Sequence, residues 1–293
     1  QGFKTKFRIV PLDFSEVNGK PVFDVIIIGG GPAGASCALW LKLLGFSPCI
    51  IEKQKVLGGL QAQSPFPNAW IATQKIRTGV EIARELHENI LEHHIPCYFE
   101  HAVISITPQG TLFEVTAQLE ALTQTSHGIL NESASININI HPIPTQTFTA
   151  PFVVIASGVS AKTGGFEPHP QVLFGPSQAL LETNFTGKKV AILGGGDNAF
   201  ENYFYIQSKG AKKTHLFARS IRARKEFIER IKSEDVFLGA YTIDAKTRQV
   251  NQPLYNYMND YDYLIVMYGW SAQLDYAQSL SLHCNSQGFI ITN

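Results

Sequence analysis

Phe23-Asp24-Val25-Ile26-Ile27-Ile28-Gly29-Gly30-Gly31-Pro32-Ala33-Gly34 is the stretch on which the fold turns. A continuous β-branched run such as Val25 to Ile28 suits a strand buried on both faces, as in a parallel sheet. The glycines after it match G-x-G-x-x-G. Gly29 permits a tight turn out of the strand, Gly31 lets backbone approach a pyrophosphate, and Gly34 lets a helix pack closely on the strand. Residues 35 to 44 are rich in helix formers, and Pro48 to Glu52 reads as a second short strand. The unit is thus β-α-β within about 30 residues. Free N–H groups at the helix start, beside Pro32 and Ala33, join the macrodipole in attracting phosphate. Glu52 follows Gly29 by 23 residues, near the spacing of an acid that binds ribose hydroxyls. A carboxylate there repels a 2′-phosphate, so FAD or NAD is expected at this site, with Lys53 beside it.

The same pattern recurs 165 residues later, from Gly29 to Gly194. Lys188 to Leu193 reads as a strand, and Gly194-Gly195-Gly196-Asp197-Asn198-Ala199 is the G-x-G-x-x-A form of the loop. A helix is expected from about Asn198 to Lys209 and a strand at Lys213 to Phe217. Two such units imply two nucleotide sites. That favours FAD at the first, because one dinucleotide alone does no redox chemistry. The second unit's closing strand ends at Phe217-Ala218-Arg219 with no acid, and Arg222, Arg224 and Lys225 follow. An arginine fork suits a 2′-phosphate, so NADPH is expected there, with NADH the alternative. A solvated basic helix start is the plainer reading of the same cluster.

Between the units, residues 75 to 94 read as an amphipathic helix ended by Pro96, with Ile76, Val80, Ala83, Leu86 and Ile90 on one face. Alternation at 111–116 and at 135–140 argues for antiparallel strands, with 123–135 as a long hairpin tip. Phe152 to Ala156 is another buried-type strand, 159–187 a Gly- and Pro-rich crossing, and Tyr263 to Tyr268 a last strong strand. The expected fold class is α/β. It has two Rossmann-like, three-layer dinucleotide-binding domains, the first discontinuous and carrying an antiparallel β-hairpin insertion. Residues 22–162 plus 269–293 form the FAD domain, 163–268 the NAD(P)H domain, and 1–21 an N-terminal arm.

Composition supports a folded core, with 44% hydrophobic and 16% charged residues. A formal net charge of zero gives no electrostatic reason for a nucleic-acid or acidic-membrane partner. Cys37, Cys49, Cys97 and Cys284 are scattered, so there is no zinc knuckle and no C-x-x-C pair. Free buried thiols in a reducing compartment are expected. Gln1 and Gly2 are set aside as an appended remnant. No charged-then-apolar leader opens the chain and no apolar run reaches the roughly 18 residues a membrane span needs, so the expected location is cytoplasmic. His93 and His94 end a helix, where imidazolium favours the dipole, and no metal site is expected.

The motifs resemble those of the thioredoxin-reductase-like flavoproteins, a branch of the two-dinucleotide-binding-domain superfamily, from about Phe23 to Asn293. In that family the first glycine loop holds the FAD pyrophosphate and the position of Glu52 the adenosine ribose. Gly58-Gly59-Leu60-Gln61 resembles the Gly-Gly-Gln-Leu loop beside the flavin, with its last two residues exchanged. Ala102-Val103 sits where members contact adenine through backbone. Ile155-Ala156-Ser157-Gly158 resembles the Ala-Thr-Gly strand end before the crossing into the NADPH domain. Of the family's His-Arg-Arg-Asp run, Arg219 matches the first arginine, Ser220 replaces the second, and Arg222 substitutes. Tyr268-Gly269-Trp270 stands in place of the usual Ile-Gly.

The departures locate the chain within the family. Neither dithiol location, 159–193 nor 53–70, holds a cysteine. The chain therefore looks more like the dithiol-free relatives, such as thioredoxin-reductase-like ferredoxin–NADP reductases. Family members close with a Gly-Asp strand end and a helix, and the tail bearing them is expected to be missing here. The resemblance implies an FAD-dependent NAD(P)H oxidoreductase: hydride passes from NADPH C4 to flavin N5, then electrons go to an acceptor. No catalytic side chain is named. Ferredoxin, flavodoxin, a quinone and a small disulfide all remain as acceptors, and the family suggests a homodimer. Phe66 and Trp70 lie where dithiol-free relatives place an aromatic near the flavin, although an ordinary core or surface aromatic is the favoured reading, and 158–165 and Gly269 are hinge candidates. A nucleotide-binding sensor or scaffold and a flavin monooxygenase are the other readings.

Overall fold

The computed structural model describes residues 16–17, 20–21, 23–68, 76–119 and 144–292. The β-branched run forms the strand Val25–Ile28, buried at every position. It lies inside a parallel four-stranded sheet in the order Phe152–Ile155, Val25–Ile28, Pro48–Ile51, Cys97–Tyr98. Successive side chains of a strand point to opposite faces, and here each face has its own cover. Val25 and Ile27 pack on Ala35 and Ala38 of the helix Pro32–Leu43 and on Ile90 of the helix Gly79–Glu92. Ile26 and Ile28 pack on Ile106, Val115 and Phe148 of an antiparallel sheet. That sheet orders Thr145–Ala150, Leu112–Leu119 and His101–Gln109.

A second three-layer unit repeats the plan. Its parallel sheet runs Val172–Phe174, Tyr263–Val266, Lys189–Leu193, Lys213–Ala218, Val236–Leu238. Val190, Ile192 and Ile265 face the helix Asp197–Ser208 through Phe200, Tyr203 and Ile206. Ala191, Leu193 and Val266 face Val250 of a small antiparallel sheet, Thr242–Asp244, Gln249–Gln252, Tyr257–Asp260, and Tyr261 just after its last strand. The fold is therefore α/β with two Rossmann-like three-layer units.

The chain crosses between the units twice, and the crossings pair. Val159–Ala161 runs antiparallel to Trp270–Ala272 as a two-stranded ribbon. Gly158 (φ 68°) and Gly269 (φ 93°) precede its two strands. Beyond the ribbon the chain returns to the first unit, where Ala277 and Leu280 join the core beneath the antiparallel sheet.

Some expectations shift. The helix expected at 75–94 begins at Gly79, because Thr78 builds a capping box. Thr78 Oγ1 accepts from Glu81 N–H at 3.2 Å, and Glu81 Oε2 accepts from Thr78 N–H at 2.7 Å. Ile76 is left outside the helix, 71% exposed. The arm 1–21 is described only at Glu16–Val17 and Lys20–Pro21, which pair antiparallel. The strand at 135–140, the tip at 123–135 and Trp70 lie outside the described residues. No described helix is long and apolar enough to cross a membrane. All four cysteines are free thiols, but only Cys49 is buried as expected; Cys37 and Cys97 are half-buried and Cys284 is exposed.

Two candidate dinucleotide cradles

The first glycine loop is shaped by contacts that forbid side chains at some positions and leave space at another. Gly29 turns at φ 99°, and a Cβ there would stand 2.4 Å from the Ala156 carbonyl oxygen. At Gly34 a Cβ would stand 2.0 Å from Gly29 O, so the helix packs on the strand only because this residue has none. Gly31 differs. It caps the helix at φ −67° and ψ 178°, which any residue adopts, and its nearest neighbour is Gly59 Cα at 4.0 Å. The fold does not need glycine at 31. A side chain there would fill the space in front of the helix N-terminus, where a pyrophosphate fits.

Glu52 stands behind the loop, 5% exposed. Its Oε2 accepts from Gly30 N–H at 2.7 Å and its Oε1 from Gln54 N–H at 2.8 Å. A carboxylate offers about four acceptor sites, so each oxygen keeps capacity for a ribose hydroxyl. A cavity of about 370 Å3 opens along Gly29, Gly31, Pro32 and Ala33, between Glu52, Lys53, Gly59 and Leu60 on one side and Ser157 and Gly158 on the other. A second, of about 440 Å3, shares Gly29, Glu52, Lys53 and Ser157 and runs over Ala102 and Val103. Of the cofactor-binding residues expected in the first unit, Gly34 and Gln61 do not line either cavity. Gly34 lies beneath the loop, and the Gln61 side chain turns away, its Oε1 3.5 Å from Asn68 Nδ2.

Sequence reasoning missed Gln273, Asp275 and Tyr276, which wall the second of these cavities. Ser157 Oγ donates to Gln273 O at 3.0 Å, and Tyr276 OH donates to Ser157 Oγ at 2.8 Å. These partners lie more than 110 residues apart in the chain, beyond the reach of any local pattern.

At the second loop, Gly194, Gly196, Asp197, Asn198, Ala199, Arg219 and Arg222 all line one cavity of about 570 Å3. A Cβ on Gly195 would meet Ser220 O at 2.0 Å, whereas one on Gly196 meets nothing within 4 Å. The open position is again the one at the helix cap. Both cradles thus fit a dinucleotide pyrophosphate.

The basic cluster divides. Arg224 Nε pairs with Asp197 Oδ2 at 3.0 Å, its backbone N–H donates to Asp197 Oδ1 at 2.8 Å, and Glu201 lies 3.6 Å from Nη2. Lys225 pairs with Glu229 at 3.4 Å. Neither lines the cavity, so the fork read from Arg222, Arg224 and Lys225 narrows to the exposed pair Arg219 and Arg222. Tyr241 and Tyr268 form an aromatic wall there, their hydroxyls 3.2 Å apart, with Tyr241 donating. Burial raises both phenols above their ordinary range, which keeps them neutral.

Phe66 does not line either first-unit cavity. It packs edge-on against Tyr205 of the second unit, centroids 5.9 Å apart, as an ordinary packing aromatic does.

Residues 23–293 match the family described as pyridine nucleotide-disulphide oxidoreductase. The chain is 25% identical over 224 residues to a ferredoxin–NADP reductase of Lactococcus lactis subsp. lactis (strain IL1403), covering 73% of this chain and 61% of that protein. It is 24% identical over 283 residues to a ferredoxin–NADP reductase of Lactococcus lactis subsp. cremoris (strain SK11), covering 90% of this chain and 79% of that protein. Among solved structures, Lactococcus lactis thioredoxin reductase in its FR conformation superposes with a TM-score of 0.70 at 16% identity, over 92% of this chain and 85% of that one, and at that identity the likeness speaks for the fold. With two glycine cradles on a duplicated three-layer frame, and a family match that spans both, the chain belongs to the pyridine nucleotide-disulphide oxidoreductase family.

Proposed function

We propose that the protein is an FAD-dependent NAD(P)H oxidoreductase that passes hydride from NADPH to flavin and then delivers electrons to an acceptor without a C-x-x-C dithiol. The observation that carries this reading is the pair of open glycine caps, Gly31 and Gly196, on two cavities that share a wall at Pro176 and Trp270. When bound, FAD and NADPH supply the hydride chemistry themselves. The chain's residues bind and orient. Gly31, Pro32 and Ala33 present the first helix N-terminus to the FAD pyrophosphate, and Glu52 accepts from the ribose hydroxyls. Gly196, Asn198 and Ala199 present the second helix, and Arg219 and Arg222 hold the 2′-phosphate by charge-assisted hydrogen bonds.

The missing dithiol is supported by the absence of cysteine from 53–70 and 159–193. An acceptor of the ferredoxin kind is supported by the names of the two Lactococcus relatives. The division into an FAD domain, 22–162 plus 269–293, and an NAD(P)H domain, 163–268, is supported by the ribbon at which both crossings meet. A reducing, cytoplasmic setting fits the four free thiols, and a homodimer is carried over from the resemblance.

The test is anaerobic mixing of the flavin-loaded protein with NADPH. Bleaching of the yellow flavin band is expected, faster with NADPH than with NADH. An unchanged spectrum from a flavin-loaded sample would replace this reading with that of a nucleotide-binding sensor.

A further inference from the structure

Two residues, Pro176 and Trp270, line both the 370 Å3 cavity under the first glycine loop and the 570 Å3 cavity under the second. Of the two, only Trp270 has an aromatic face. It is half-buried on the ribbon strand Trp270–Ala272, directly opposite Ala161. Directly opposite residues share a face of the pair, so a small side chain sits beside a large one and leaves the indole room to lie across the ribbon. Gly175 closes the arrangement. At φ 52°, a Cβ there would fall 2.7 Å from Ala161 Cβ and 3.8 Å from the tip of the Trp270 indole. The ring is therefore packed at its tip, and the residue borders both cavities.

The second cavity also has a direction. Arg219 and Arg222 line it but not the first cavity, whereas Trp270 lines both. Gly196 lies on the same lining, at the helix cap where the pyrophosphate fits. A nucleotide whose 2′-phosphate lies on the arginines and whose pyrophosphate lies at Gly196 points its nicotinamide toward Trp270. Hydride transfer needs the reacting atoms about 3–3.5 Å apart and aligned, and Trp270 borders both cavities beside the place where the two ring ends have to meet. Oxidised nicotinamide is a cationic ring, which a Trp face attracts.

The geometry points to Trp270 as the positioning residue of the hydride step, its indole lying beside the junction of the two cradles and offering the aromatic face that orients the nicotinamide ring toward the flavin. Trp270 makes and breaks no bond. The inference rests on the two-nucleotide reading above.

The test compares the wild type with Trp270→Phe and Trp270→Ala, each loaded with FAD. Trp270→Ala should keep its flavin and bind NADPH within about threefold of wild type, yet bleach about 10- to 100-fold more slowly in a single turnover. Trp270→Phe should recover most of that rate. A second readout is independent of turnover. NADP+ added to the chain as purified should quench tryptophan emission, and Trp270→Phe should lose at least about half of that quench, the chain having three tryptophans. A Trp270→Ala protein that holds flavin and bleaches as fast as wild type or faster overturns the inference, as does a quench that Trp270→Phe leaves unchanged. Failure of the wild type to take up FAD would instead sink the two-nucleotide reading, and the emission titration would still decide whether the nicotinamide reaches Trp270.

Discussion

Neighbouring glycines in one loop have opposite jobs, and the difference predicts opposite phenotypes. Gly34 serves the fold, since a Cβ there meets backbone at 2.0 Å. Gly34→Ala should lower stability by about 1–3 kcal/mol or more through overpacking. Gly31 serves the ligand, for its backbone suits any residue and its surroundings are open. Gly31→Ala should melt at or slightly above wild type, because Ala narrows the unfolded ensemble by about 0.4–1 kcal/mol. Its flavin-to-protein ratio should nonetheless fall sharply. Thermal melts of the flavin-free proteins beside absorbance ratios after reconstitution decide this, and equal melts for the two variants would refute it. His215 makes a second residue-scale case. It is 4% exposed, with Tyr261 OH 2.6 Å and Tyr257 OH 3.0 Å from Nδ1. Burial first, then Lys213, and in small part Lys189, hold its pKa down to about 4, with Asp235 opposing. The unfolded chain, at about 6.5, then binds more protons between those values, so stability rises with pH there. The contribution is full above pH ~6.5 and lost as pH falls toward 4, on the order of 3 kcal/mol. Urea unfolding of wild type should weaken over that window more steeply than that of His215→Gln, and parallel curves would rule the account out.

At the scale of elements, the readings that survived were those in which one local pattern had one physical cause. Val25–Ile28 read as doubly buried because it is, with helices on one face and a sheet on the other. The helix beginning at Gly79 was misjudged at its start because hydrophobic period alone admits Ile76, while the hydrogen bonds of Thr78 and Glu81 exclude it. That cap has a measurable weight. Thr78→Ala frees the Glu81 N–H and should cost about 1 kcal/mol, seen as a small drop in melting temperature with the flavin ratio unchanged. A loss of flavin would mean that this helix, whose Ala83 lies against the Gly58 turn, also sets the cradle. The small sheet Thr242–Asp244, Gln249–Gln252, Tyr257–Asp260 was not legible at all. Its strands are three or four residues long, too short for alternation to stand above chance. The ribbon was hidden for another reason, as its two strands are 109 residues apart, from Ala161 to Trp270.

Across the whole molecule, the duplication was the feature most open to reading, because each unit carries its own glycine loop between its own strand and helix. The wall that each cavity takes from the return segment was closed to it. Gln273, Tyr276 and Trp270 reach the site from the return segment, and only the folded chain brings them there. Two separate cores flank each parallel sheet, and no glycine of one loop contacts the other loop within 4 Å of a built Cβ. The cradles should therefore fail one at a time. Gly31→Ala should lose flavin and still bind NADP+ within about threefold of wild type, since Gly31 and Gly196 touch no common residue and distant substitutions add nearly independently. Gly196→Ala should hold flavin and lose NADP+, and its flavin should stay yellow when NADPH is added without oxygen. Calorimetric titration with NADP+ and flavin absorbance on both variants give the four values. A single substitution that empties both sites would mean that the Trp270 wall couples them, and that the two units close on their nucleotides as one.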